Sequence, residues 1–295
     1  MYKILLSGST GFFGKTIINN LNEKYNIVEL LNPNNLQTFR LDQKVPIFNE
    51  AFDIVLHCAG KAHSVPQNEI DRNMFYQVNV IGTQNLLKGL ASAYIPKQFV
   101  FISSVAVYGK EFGYNISENE NLNAKDPYGL SKIHAEHFIK NWCQKNNVVC
   151  TILRLPLLVG ENPPGNLGVM VKAIKKGYYF NIGGGKAKKS MVLAEDVARF
   201  IPLIAPIGGT YNLTDGVHPS FAALSYAIAK KKMYNLPMNV AKIIGYIGDI
   251  FGGSVPINSL KIKKITSDLI FEDSKARELG WNPQSVLEYL KKNDL

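Results

Sequence analysis

The first twenty residues limit the fold more than any other part of the chain. Tyr2-Lys-Ile-Leu-Leu-Ser-Gly8 is a short apolar run of the kind that makes a buried strand. Gly8-Ser-Thr-Gly11-Phe-Phe-Gly14 follows at once, and helical patterning continues through Leu21. Strand, glycine-rich turn and helix in that order provide a tight turn and a helix N-terminus that backbone can approach closely. The spacing is G-x-x-G-x-x-G rather than G-x-G-x-x-G, but the physical demands are the same. The expected ligand is the pyrophosphate of a dinucleotide, against Gly8, Thr10, Gly11, Phe12, Phe13 and Gly14.

A chain that begins this way is expected to alternate strands and helices into a doubly wound parallel sheet, an α/β Rossmann-type fold. The next expected strands are Asn26–Leu31, Thr38–Asp42 and Phe52–Gly60. Asn32 stands at the end of the second, where an acidic residue would select NAD and a basic one NADP; Asn32 does neither, so NAD is expected with NADP open. Asp42 could accept from the adenine amino group or cap a turn. Cys58, Ala59 and Gly60 are small enough for a cofactor to lie across the strand end. His57, inside an apolar run, reads as a satisfied core histidine, and His63 as an exposed loop residue. A long helix is expected from Asp71 to Ala93, in which Asn79 could steady the neighbouring strand.

The chemistry is concentrated between Phe99 and Lys132. Phe99-Val-Phe-Ile-Ser-Ser104 reads as a buried strand that ends on the edge where such sheets bind ligands. After a polar loop, Asp126-Pro127 supplies an N-cap and a first helical residue. Tyr128 and Lys132, four residues apart, therefore share one helix face. A free phenol titrates near pH 10, roughly three units too high for a base at neutral pH. An adjacent ammonium and an oxidised nicotinamide ring would both favour the phenolate. Tyr128 could then take a hydroxyl proton as hydride leaves the same carbon, with Ser104 holding the oxygen. A second Tyr-x-x-x-Lys pair, Tyr226 and Lys230, lacks the upstream serine and the glycine loop and reads as an ordinary amphipathic helix.

The regular alternation ends after the expected strand Val148–Leu155. Residues 1–160 with 186–218 are expected to form the dinucleotide domain, and 161–185 with 219–295 a smaller, mainly helical substrate lobe. Ile243, Ile244, Ile247, Ile250 and Phe251 have helical spacing that suits either an interfacial helix or core packing, and core packing is expected. The net charge of +10 comes from 33 basic and 23 acidic residues, largely dispersed. It suits an anionic small molecule, and without an aromatic-and-basic motif it does not indicate nucleic acid. Cys58, Cys143 and Cys150 lack metal-ligand spacing, so no metal is expected. No leader pattern or membrane-length apolar run is evident, which gives a cytoplasmic expectation.

Taken together, these residues resemble an extended short-chain dehydrogenase/reductase of the nucleotide-sugar epimerase/dehydratase family, of the UDP-glucose 4-epimerase-like kind. The resemblance rests on Gly8-x-x-Gly11-x-x-Gly14, His57-Cys-Ala-Gly60, Asn79-Val-x-Gly82-Thr83 and Ser103-Ser104-Val-Ala-Val-Tyr108-Gly109. It also rests on Pro127-Tyr128-Gly-x-Ser131-Lys132, Leu153-Arg154, Asn166-Leu167, Asp196-Val-Ala198 and Ser274-Lys275-Ala276-x-x-x-Leu279-Gly280-Trp281. It implies that Ser104, Tyr128 and Lys132 are catalytic, with Lys132 also on the nicotinamide ribose. Lys61, Val105, Ala106, Asn166, Leu167 and Lys189 would face the nucleotide-diphosphate sugar. The long helices from Asp71 and Tyr128 would form a homodimer interface.

Two departures narrow the activity. Lys189 stands where many members have an arginine, and an ammonium cannot make the bidentate contact. Val105 and Ala106 stand where the family's 4,6-dehydratases carry an Asp-Glu pair, which sets dehydration aside. A 4-epimerase with tightly bound NAD is the expected activity. An NAD(P)H-dependent 4-keto-sugar reductase is the alternative, and a non-catalytic dinucleotide sensor the third.

Overall fold

Short β-rich runs alternate with amphipathic helices along the first two thirds of the chain, and this alternation builds the sheet. The computed structural model describes residues 2–32, 39–62, 64, 66–251 and 258–293. Strand β1 (Lys3–Ser7) leads through the glycine loop into α1 (Phe12–Leu21), β2 (Asn26–Glu29) and β3 (Ile54–His57). Helices α2 (Glu69–Tyr76) and α3 (Gly82–Ser92) follow, joined through one π-helical turn, Gln77–Ile81. Strand β4 (Gln98–Ser104) runs into a 3-10 turn, Val105–Tyr108; then come β5 (Gly113–Ile116), α4 (Pro127–Lys145), β6 (Val149–Leu155), β7 (Leu157–Val159) and α5 (Gly165–Lys175). The second half contains β8 (Asn181–Ile182), β9 (Met191–Leu193), α6 (Ala194–Ile204), β10 (Gly209–Asn212), α7 (Phe221–Ala229) and β11 (Asn235–Leu236). It ends with α8 (Met238–Phe251), α9 (Ser259–Thr266), β12 (Leu269–Phe271), α10 (Ser274–Arg277) and α11 (Val286–Lys292).

Six parallel strands form the main sheet in the order β10-β6-β4-β3-β1-β2. The chain reverses direction across the sheet between β1 and β3, and ligands bind at such a switch point. Both faces are covered, as a parallel sheet requires. Ile4, Leu6, Val100 and Ile102 face α1 and α6, packing on Phe13, Ile17, Val197 and Ile201. Leu5, Phe99 and Phe101 face the other layer, with Leu86 and Leu90 of α3 and Ala135 and Ile139 of α4. The C-terminal segment returns to this core: Trp281 lies 5.0 Å from Phe200, ring centre to ring centre, and its indole N–H donates to the Thr214 carbonyl at 2.9 Å.

Several expectations are corrected. Phe39–Asp42 is not a strand; Leu41 is buried among core residues, and Arg40 and Asp42 pinch the chain into a turn through two hydrogen bonds of 2.9 and 2.7 Å. Thr38 and His63 lie outside the described residues. The polar loop after Tyr108 contains β5, which pairs in parallel with β12 more than 150 residues later. The large apolar residues of α8 are mostly exposed, with Ile244 half-buried. Ile243, Ile250 and Phe251 are 61%, 65% and 65% exposed, and the helix is buried instead along Ala241, Gly245 and Gly248.

Candidate active site

The carboxyl ends of β1, β3 and β4 open onto a cleft of about 560 Å³. Of the residues expected from sequence, Gly8, Gly11, Phe12, Phe13, Gly14, Cys58, Gly60, Lys61, Ser104, Val105, Ala106, Tyr128 and Lys132 line it. Thr10, Asn32, Asp42, Ala59, Asn79, Asn166, Leu167 and Lys189 do not. Asp42 is held by Arg40, which keeps its carboxyl below the usual range through hydrogen bonding. Asn166 is exposed in the first turn of α5, while Leu167 is buried in the core of the smaller lobe. Lys189 donates from Nζ to the Lys264 carbonyl at 2.9 Å, and burial lowers its pKa.

The glycine loop has room for an anion because it has no side chains. Gly8 has φ +76°, and a Cβ there would lie 2.6 Å from the Ala59 nitrogen; one at Gly14 would lie 2.2 Å from the Gly8 carbonyl oxygen. Gly11 caps α1 with no side-chain hydrogen bond, so the first N–H groups of that helix have no capping side chain. These features fit a pyrophosphate, which helix N-terminal amides and the helix dipole favour.

A hydrogen-bonded chain behind the loop fixes its position. The Ala59 N–H donates to Ser7 Oγ at 3.3 Å; Ser7 Oγ and His57 Nδ1 are 2.6 Å apart, and His57 Nε2 and Thr83 Oγ1 are 2.9 Å apart. Thr83 donates in turn to the Asn79 carbonyl at 2.7 Å. Burial first, then the Lys132 charge, pushes the His57 pKa down to about 3, so this imidazole is a neutral bridge. Asn79 continues the chain through its side chain. Its Oδ1 accepts from the Lys61 N–H at 2.6 Å, and its Nδ2 donates to the Lys61 carbonyl at 3.0 Å and to Ser131 Oγ at 2.8 Å. Asn79 is therefore a positioning residue that ties the end of β3 to the helix carrying Tyr128. It sits in the π turn, a geometry often found beside functional sites.

Helix α4 starts as its sequence dictates. Asp126 accepts from the Gly129 N–H at 3.0 Å and Pro127 occupies the first turn. Burial raises the Tyr128 pKa above 10, and the Ser104 hydroxyl only partly offsets this. The Lys132 ammonium is directed elsewhere. The ammonium donates to the Ile102 carbonyl at 2.8 Å and lies 4.6 Å from the centre of the Phe101 ring. Burial brings the Lys132 pKa down to about 8. In the protein's own field, with no nicotinamide charge beside it, burial thus favours the neutral phenol of Tyr128.

Two sets of residues were not anticipated. Lys110 lines the cleft and is paired with Glu120 at 2.7 Å. Leu269 and Phe271 reach the cleft wall through the pairing of β12 with β5 on one side and with Lys188–Ser190 on the other. Beneath Ser104, the fully buried Glu136 accepts from Ser103 Oγ at 2.6 Å and from Arg154 at 3.1 and 2.8 Å. Arg154 also donates to Tyr108 at 3.1 Å, which donates to Asn212 at 2.7 Å. Glu136 was legible in principle, being the third residue of a Tyr128, Lys132, Glu136 stripe at four-residue spacing.

A glycine-cradled switch point with serine, tyrosine and lysine on the adjoining strand and helix defines a nicotinamide-dinucleotide-dependent enzyme of the extended short-chain dehydrogenase/reductase class. The chain belongs to the NAD dependent epimerase/dehydratase family, whose model matches residues 4–213. Members of that family are NAD(P)-dependent enzymes that modify nucleotide sugars. The chain is 27% identical to N-acetyl-alpha-D-glucosaminyl-diphospho-ditrans,octacis-undecaprenol 4-epimerase of Escherichia coli O157:H7, across 94% of this chain and 89% of that one. It is 26% identical to UDP-glucose 4-epimerase of Vibrio cholerae, across 97% and 92%. Its fold superposes on the UDP-Glc/GlcNAc 4-epimerase of Campylobacter jejuni with a TM-score of 0.75 at 20% identity, covering 99% and 97% of the two chains.

Proposed function

We propose that the chain is a nucleotide-sugar 4-epimerase that works by transient oxidation at the sugar C4. The observation that carries this reading is the convergence of Ser104, Tyr128 and Lys132 on the cleft that begins at the glycine loop. The bound dinucleotide would supply hydride acceptance and return at C4. Tyr128 moves the proton on O4 and Ser104 holds that oxygen. A neutral Tyr128 is set to donate, and it becomes a base only when a positive charge approaches it.

The rest of the cleft wall supports the same chemistry. Among its described lining residues no carboxylate occurs, so eliminating water would have no acid–base pair; the cations are Lys61, Lys110 and Lys132. Lysines lining a mainly apolar cleft suit a diphosphate. The two relatives that span 94% and 97% of this chain both bear the name of a 4-epimerase. In this reading residues 1–160 with 186–218 hold the dinucleotide, and 161–185 with 219–295 close over the sugar. Ala276 and Trp281 of the latter are nonetheless built into the core of the former.

The test is to denature the purified protein and identify any released dinucleotide by mass spectrometry. Stoichiometric NAD, with UDP-sugar interconversion and no added cofactor, is the expected result. A protein that emerges empty, binds NADPH reversibly and consumes it with a 4-keto sugar would be a reductase, which overturns the proposal.

A further inference from the structure

Helix α8 is packed in an unusual orientation. Its buried residues are its smallest ones, Ala241, Gly245 and Gly248. A Cβ on Gly245 would lie 2.6 Å from Ile262 Cδ1 and 3.1 Å from the Ser259 Cα, so α9 packs closely on this side. The large residues point away. Val240, Ile243, Tyr246, Ile247, Ile250 and Phe251 are between 43% and 67% exposed. Their spacing of three and four residues puts them in a single stripe. Leu260 and Ile265 of α9 are also exposed, at 51% and 42%. An apolar surface of this kind on a water-soluble fold marks an interaction site.

The charge around the stripe indicates what covers it. Across α8 and α9 the ionisable residues are Lys242, Lys261, Lys263, Lys264 and Asp249, and the four lysines are all exposed. Asp249 accepts from the Ser259 N–H at 3.2 Å, Lys264 is paired with Glu111 and Lys263 lies over the Phe112 ring at 5.4 Å, which leaves the pair with a net positive charge. An aliphatic and aromatic stripe on a helix pair whose charge is mostly lysine, with Lys242 on the stripe's own helix, suits a helix lying in a membrane interface, its apolar face at the acyl boundary and its cations toward the headgroups. Among the described residues no helix is long and apolar enough to cross a membrane, so contact through this face would be peripheral.

We propose that the α8–α9 pair docks this chain on the surface of an anionic phospholipid bilayer. The position of the pair gives this a consequence for the cleft. α9 runs into β12, whose Leu269 and Phe271 line the cleft, and Lys264 is paired at 2.8 Å with Glu111 beside the cleft residue Lys110. Docking would therefore hold the cleft close to the headgroups. The inference does not depend on which sugar reaction the cleft performs.

Co-sedimentation of the full chain with phosphatidylcholine vesicles, with and without phosphatidylglycerol, tests it. The chain is expected to pellet with the anionic vesicles, and less so as salt rises. The triple variant Ile243→Ser/Ile250→Ser/Phe251→Ser, altered only at exposed positions, is expected to partition at least about ten-fold less. Lys242→Glu/Lys263→Glu is expected to abolish the preference for phosphatidylglycerol. Circular dichroism and turnover of a soluble substrate, run alongside, separate loss of docking from loss of fold or of activity. Wild-type chain that stays in the supernatant overturns the proposal, as does a triple variant that pellets like wild type. So does light scattering in which the wild type pairs through this stripe and the triple variant does not.

Discussion

Glu136→Gln tests how far the site depends on its buried ion pair. Glu136 is 0% exposed and Arg154 3%, and the carboxylate accepts three hydrogen bonds from Ser103 and Arg154. The substitution keeps the shape but removes the charge, and it turns an NH₂ donor toward partners that are themselves donors. Removing one partner of a buried pair leaves an uncompensated charge, at a cost of about 3–5 kcal/mol. For 295 residues the unfolding entropy is about 0.6 kcal/mol/K, so the melting temperature should fall by roughly 5–8 °C. Activity should fall too, because Ser103 adjoins Ser104 and Tyr108 hangs on the same arginine. Scanning calorimetry and urea unfolding read the stability. Replacing both partners, Glu136→Leu with Arg154→Met, should recover most of it, since an apolar pair of similar volume is often no worse than the ion pair. A single variant within about 1 kcal/mol of wild type would refute the reasoning, as would a double variant no better than the single.

Tyr128→Phe should abolish turnover while dinucleotide binding, read by calorimetry, is kept; activity near wild type would remove Tyr128 from its role. Lys132 has a pKa of about 8 folded and 10.5 unfolded, so the unfolded chain binds more protons between these values and stability should rise with pH there. Lys132→Met should remove that rise, as unfolding measured across pH 8 to 10.5 would show, and an unchanged slope would count against the assignment. Gly14→Ala puts a Cβ 2.2 Å from the Gly8 oxygen and should cost both stability and dinucleotide affinity; unchanged binding would refute the cradle. The homodimer expected from α2 and α4 would be refuted by a monomeric mass in light scattering at micromolar concentration.

What was legible in the sequence is what local chemistry decides. The glycine loop, the buried β4 run and the Asp126-Pro127 helix start each depend on residues within a few positions of one another. Pairing at long range was not legible: Gly113 and Asn115 carry no strand signal, and β5 exists because β12 lies beside it. Lys132 shares a helix face with Tyr128, yet its ammonium is satisfied by a strand carbonyl that spacing cannot reveal. On α8 the periodicity was visible but the buried side was not. Ala241, Gly245 and Gly248 form a second stripe at the same spacing, and close approach to α9 favours the small residues.

The π turn at Gln77–Ile81 is one residue more than an α-helix needs. Each α-helical residue turns the chain by about 100°, so removing one would swing everything on one side of the turn by that angle. If α3 kept its seat on the sheet, Phe75 would rotate away from the Tyr128 ring, now 6.1 Å off, and Asn79 from Lys61 and Ser131. The extra residue lets one continuous helix keep α3 seated on the sheet while α2 and the turn itself reach α4. A chain shortened by that single residue could still fold, but its two halves of the cleft would be out of phase.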